Sequence, residues 1–278
     1  MLALHARRSA ESMVQFRLVR PFGGLVLALT GTDVYRDIHE DEVAQQSLAL
    51  ADRLVVLQPG AMDELTASQR TRCDVVFQSA PSLKPAEHHT RSFDVVQVGH
   101  LRHEKDPFTP ITALRILPAD SHIRLVHIGI ALDTHHADTM RIVTRDEPRL
   151  KWLGGLSRSQ TRQCIKRAHL LVIASRMEGG ANVIVEAVTA GVPVIASRIS
   201  GNVGMLGEHY PGYFTLGDAA ECAAILRRAE TDPAFYQRLV NACAKRAANF
   251  LPEREATAIR ASVGRARLTP IAGGLSAM

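Results

Sequence analysis

The sequence predicts an α/β protein whose parallel sheets are covered by helices on both faces. Two observations carry this. Apolar runs such as residues 170–175 and 192–196 show no polar alternation, as buried parallel strands require. These runs alternate with helical segments along the whole chain, the order from which doubly covered sheets are built. The 278 residues, 46% hydrophobic and 5% aromatic, are enough for two modest domains or one large one.

Taken in order, residues 2–5 predict a short strand and 9–19 a helix. Residues 25–29 predict a strand ending in the Gly31 turn, 41–51 a helix, and 53–57 and 75–78 further strands. Residues 79–90, with Pro81, Pro85 and the pair His88-His89, read as a linker. Strands resume at 95–99 and 124–128, and helices are predicted at 133–145 and 157–168. The strand at 170–175 leads through Gly179-Gly180 into a helix over 182–190, which Gly191 and Pro193 close. Residues 200–207, with three glycines, read as a loop. Helices at 219–230, 233–248 and 252–265 complete the chain, and the tail 268–278 is expected to be disordered.

Composition removes several function classes. The net charge of +5 comes from arginines scattered among acids, with no basic stripe for nucleic acid. No apolar run reaches the ~18–20 residues of a membrane span, and Arg7-Arg8 interrupts the short apolar start, so a cytoplasmic protein is expected. Cys73, Cys164, Cys222 and Cys243 lack metal-ligand spacing, as do His88-His89 and His135-His136, and there is no Asp-x-Asp motif. Neither a metal nor a cofactor is expected.

Residues 175–196 carry most of the chemistry. A helix start behind glycines presents N–H groups to an anion. Glu178 lies before that helix and Glu186 inside it, placed to bind hydroxyl-bearing groups on either side of the anion. A phosphate between two such groups describes a nucleotide sugar. In a second cluster, Gly99 ends a strand and Arg102 and Lys105 follow, a guanidinium and an ammonium suited to a diphosphate leaving group. Asp106 and Pro107 read as capping residues there. The forward i+4 neighbour of Glu186 is Ala190, so no helical ion pair accounts for that carboxylate, and Asn182 suits an N-cap.

The Glu178-x7-Glu186 spacing, followed by Ala187-x3-Gly191-x-Pro193-Val-Ile-Ala196, resembles the donor site of retaining GT-B glycosyltransferases of the glycogen-synthase and sucrose-synthase type. Five segments together resemble the selenosugar synthases of selenoneine biosynthesis: Leu4-His-Ala-Arg-Arg-Ser9, Leu29-Thr-Gly-Thr-Asp33, the run from Val98 to Pro107, Arg176-Met-Glu-Gly-Gly-Ala-Asn182, and Ser200-Gly-Asn-Val-Gly204 with Tyr210-Pro-Gly-Tyr213. The resemblance implies two Rossmann-like parallel-sheet domains facing a cleft, the first incomplete by roughly 50–60 residues at about 30 per βαβ unit. It implies a partial acceptor-side domain over 1–88, a nucleotide-sugar domain over 89–248 and a return helix over 249–267.

By the same resemblance, Glu178 contacts the donor sugar, Glu186 the ribose hydroxyls, and Lys105 and Arg102 the diphosphate. Gly99, Gly179, Gly180, Ala181 and Asn182 line the donor. This chain has His100 where relatives place an arginine, and Asn202 and Gly204 where they carry a glycine pair and a glutamate. His5, Arg7, Arg8, Thr30, Thr32 and Asp33 are acceptor-side candidates. The implied reaction moves a sugar from UDP-N-acetylglucosamine or UDP-glucose, which are substrates and not cofactors, to selenophosphate. Two alternatives remain: transfer to a sugar or lipid hydroxyl with Asp33 or His5 as base, and a truncated fragment that binds nucleotide sugar without transferring it. Asp33 suits a turn-stabilising role equally well.

Overall fold

The computed structural model describes residues 1–87 and 91–268, which form two compact units. The first comprises residues 1–79, the segment Met177–Ala181 and the C-terminal helix Pro252–Leu268. Its strands β1 (Leu2–Leu4), β2 (Val26–Leu29), β3 (Arg53–Val56) and β4 (Cys73–Val75) form one parallel sheet in chain order. The period of two sorts its core. Leu25, Leu27, Leu29, Leu54 and Val56 pack with Met13 of helix Ala10–Val19 and with Ala44 and Leu48 of helix Glu42–Leu50. Val26, Ala28 and Val55 face the other way, against Ala258, Ile259, Val263 and Ala266 of the C-terminal helix. Asp41 caps helix Glu42–Leu50 by accepting from the Ala44 amide.

The second unit comprises residues 80–176 and 182–251. Strands β5 (Phe93–Val98), β6 (Ile123–Ile128), β7 (Leu150–Trp152), β8 (Leu170–Ile173), β9 (Val194–Ser197) and β10 (Tyr213–Phe214) form a parallel sheet in the order β10-β9-β8-β5-β6-β7. The chain builds outward from β5 in one direction, then restarts at β8 and builds in the other. The crevice outside the carboxyl ends of β5 and β8 is therefore the topological switch point, where such sheets bind ligands. β8 and β9 are buried along their whole length. Asp133, Ser157, Asp218 and Asp232 cap helices Thr134–Asp146, Arg158–Arg167, Ala219–Thr231 and Pro233–Ala247.

Several expectations are corrected. Residues 200–206 form a helix, Ser200–Leu206, rather than a glycine-rich loop. The buried Asn202 side chain donates to the Ser197 carbonyl and hydroxyl, and that tertiary anchor outweighs the helix-weakening glycines. Residues 80–83 are not a free linker, because the Ala80 amide donates to Phe250 and the Leu83 amide to Thr189. The strand expected at 75–78 lies two residues earlier, at Cys73–Val75. Helix Phe108–Ile116 and strands β7 and β10 went unpredicted. His88-His89, the boundary at 88/89 and the tail beyond Leu268 lie outside the described residues. Among the described residues no helix is long and apolar enough to cross a membrane.

Candidate active site

Gly99 leaves β5 at the switch point, its amide bonded to the Ile128 carbonyl at 2.9 Å. The Lys105 stem folds back over it: a Cβ at Gly99 would lie 3.5 to 3.7 Å from the Lys105 side chain. The structure thus brings Gly99 and Lys105 together through the 3-10 turn His103–Lys105, closed by Lys105 N–H to the Arg102 carbonyl at 3.0 Å. Arg102 sits half-exposed before the turn, 3.9 Å from the Glu104 carboxylate. Neither Asp106 nor Pro107 caps the following helix with a side chain. Asp106 instead adopts the left-handed conformation, φ 42.

Below the turn lies His127 on β6, 1% exposed, with Nε2 3.1 Å from the Gly99 carbonyl and Nδ1 3.1 Å from the Gln97 amide. Burial pushes its pKa down to about 4, with the Gly99 bond pulling weakly the other way, so the ring is neutral near pH 7. A neutral ring that donates from Nε2 requires the Gln97 amide to turn its NH₂ end toward Nδ1. Gly129 packs so closely that a Cβ there would come 1.9 Å from the Gly99 carbonyl oxygen.

On the helix after β8, Asn182–Val188, the buried Glu186 does have partners. The Asn182 side chain donates to its Oε1 at 3.2 Å, and Arg158 of the neighbouring helix pairs with the same oxygen at 3.3 Å. Looking only forward along the helix misses both, since one partner is at i−4 and the other 28 residues away.

In the first unit, His5 and residues 30–33 meet at the carboxyl ends of β1 and β2. Asp33 is fully buried and accepts three backbone amides: Ala6 at 3.1 Å, Thr30 at 2.9 Å and Gly31 at 2.7 Å. It ties two loops together, which is the turn-stabilising reading. His5, buried with φ 72, reaches Thr32 Oγ1 at 3.3 Å and lies 3.8 Å from Asp37, a residue the sequence reasoning did not single out. Arg7 pairs with Asp41 at 3.1 Å and Arg8 is exposed. The segment Met177–Ala181 belongs to this unit and lies against these loops, where a Cβ at Gly179 would be 2.3 Å from the Thr30 carbonyl oxygen. Glu178 and Ala181 on it are buried. Gly180 approaches Leu57 as closely, a Cβ there lying 2.5 Å from the Leu57 Cβ.

The family pattern described as "Glycosyl transferases group 1" matches residues 81–246, more than half of the chain. The chain belongs to this glycosyltransferase family. Its fold is that of solved GT-B glycosyltransferases. Anabaena Alr3699/HepE, in complex with UDP and glucose, is 18% identical with a TM-score of 0.78, over 95% of this chain and 77% of its own. Sucrose-phosphate synthase from Thermosynechococcus elongatus is 20% identical with a TM-score of 0.76, over 96% and 73%. The pneumococcal O-GlcNAc transferase GtfA, in complex with UDP and GlcNAc, is 14% identical with a TM-score of 0.72, over 95% and 56%. No curated protein matches the sequence.

In this glycosyltransferase the residues around the candidate site that the sequence does not single out are Asp37, Gln97, His127 and Arg158, while Asp106 reads there only as a capping residue and Arg176 only as part of a motif. Each meets the site residues through a contact distant in sequence or from within the core.

Proposed function

We propose that this glycosyltransferase moves a sugar from a UDP-sugar, UDP-N-acetylglucosamine or UDP-glucose, to selenophosphate. The observation that carries the donor side is the Gly99–Lys105 pairing at the switch point of a sheet whose family transfers sugars. UDP in the solved structures of Alr3699/HepE and GtfA supports a uridine nucleotide as the carrier. Lys105 and Arg102 stabilise the departing diphosphate, Glu186 binds the ribose hydroxyls with Asn182 beside it, and Glu178 orients the sugar. In the transfer, selenium attacks the anomeric carbon as the bond to UDP breaks, and UDP leaves with the electron pair. Water then cleaves the Se–P bond, giving phosphate and the selenosugar.

On the acceptor side, both Asp33 carboxylate oxygens accept backbone amides, which commits the side chain to holding its loops rather than to general-base work. A soft selenium nucleophile dispenses with that base, whereas a sugar hydroxyl would depend on His5 alone. The exposed Arg8, and Arg7 after exchange from Asp41, supply cationic forks for an anionic acceptor.

The test is calorimetry with UDP-sugars, then UDP release with and without selenophosphate. Binding with selenophosphate-dependent release is the expected outcome. Release with sugar hydroxyls instead, or no binding, overturns the reading. Glu178→Ala and Lys105→Ala should each lower turnover at least ~10²-fold, the scale of losing one preorganised charge contact.

A further inference from the structure

We propose that the Asp106–Arg176 ion pair positions the Lys105 turn for the diphosphate, an inference that rests on the donor-site reading above. Lys105 ends the 3-10 turn His103–Lys105, and Asp106 follows in the left-handed region at φ 42, ψ 61. Among the described residues only His5 shares a positive φ without being glycine. Glycine would occupy that conformation without strain, whereas the aspartate sits there against its backbone preference.

Its carboxylate explains why. Asp106 is nearly buried, and its Oδ2 accepts from the Arg176 guanidinium at 3.0 Å. The Arg176 amide donates to the Glu104 carbonyl at 2.9 Å. Arg176 thus grips the turn at two points, once through its side chain and once through its backbone. It stands just beyond β8, on the opposite side of the switch point from β5, where the turn originates. The turn is thereby fixed to both strands that flank the crevice.

The pairing also sets the local charge. An unpaired carboxylate next to Lys105 would oppose a diphosphate at close range. With Arg176 against Asp106, that negative charge is offset at its source. Asp106 and Arg176 are positioning residues, acting through Lys105 and not on the substrate.

UDP affinity and thermal melting of the full chain test this, using Asp106→Gly, Arg176→Gln, Lys105→Ala and the doubles. Asp106→Gly should melt no lower than the parent, since glycine accepts the left-handed conformation, yet bind UDP about tenfold more weakly. In the Lys105→Ala background the same change should add nothing, and Asp106→Gly/Arg176→Gln should bind no worse than either single variant. Wild-type affinity in Asp106→Gly, or losses that multiply with Lys105→Ala, overturn the proposal. Should the parent chain not bind UDP, the donor-site reading fails separately. Hydrogen exchange then decides: Asp106→Gly should speed exchange of the Arg176 amide about tenfold or more, and an unchanged rate overturns the positioning role.

Discussion

Replacing Gly179 by alanine places one methyl group where the structure has no room. The added Cβ would lie 2.3 Å from the Thr30 carbonyl oxygen, 2.5 Å from its carbon and 2.7 Å from the Gly31 Cα. Ordinary contact begins near about 3.5 Å, so the shortfall is about 1 Å against atoms that are all backbone. No rotamer change relieves it. Either the segment Met177–Ala181 or the Thr30-Gly31 loop must move by that amount, and the Asp33 carboxylate holds the loop through two amides. The segment moves, carrying Glu178 with it. At the carboxylate proposed to orient the sugar, a displacement of about 1 Å costs on the order of 10²-fold in rate, about 2.7 kcal/mol of transition-state stabilisation. Steady-state assays of Gly179→Ala should show this loss in kcat/KM. Gly264→Ala, in the C-terminal helix with nothing within 4 Å, is the control and should keep full activity. A Gly179→Ala enzyme within about threefold of the parent would refute both the steric reasoning and the placement of Glu178 at the reacting carbon.

Further predictions concern stability. Asp33→Ala strands three amides and should lower the unfolding free energy by about 3 kcal/mol in urea titrations; a loss below about 1 kcal/mol would contradict the keystone role. His127 is neutral when folded, with a pKa of about 4, but takes up a proton near pH 6.5 when unfolded. The unfolded state therefore binds more protons between those values. Its stability contribution is fully present above about pH 6.5 and is lost as pH falls toward 4, by about 3 kcal/mol in all. His127→Gln should remove that share of the acid slope, and an identical slope in the variant would rule the residue out as its source.

The parts of the fold legible in the sequence are those where burial is uniform. β8 and β9 announce themselves as unbroken apolar runs because both faces are covered. Helix Arg158–Arg167 shows its capping box, Ser157 with Gln160. Helix Ser200–Leu206 was hidden, since three glycines argue for a loop and only the distant hold of Asn202 on Ser197 argues against it. The two-residue β10 and three-residue β7 are too short for any periodicity to register. At the site, Gly99, Lys105 and Glu186 stand out by residue type and spacing. The pairs that orient them do not, because Arg158–Glu186 and Arg176–Asp106 span 28 and 70 residues. Electrostatic complementarity across such separations leaves no local pattern.

The make-up of the first unit has a consequence for the order in which the chain matures. Its sheet emerges first during synthesis, yet the loop against Thr30 comes from Met177–Ala181, and one whole face of β2 and β3 waits for Ala258, Ile259, Val263 and Ala266. Until those last residues leave the ribosome, Val26, Ala28 and Val55 remain uncovered, whereas the second unit already holds everything it needs by residue 251. The unit translated earlier is therefore completed later than the one that follows it.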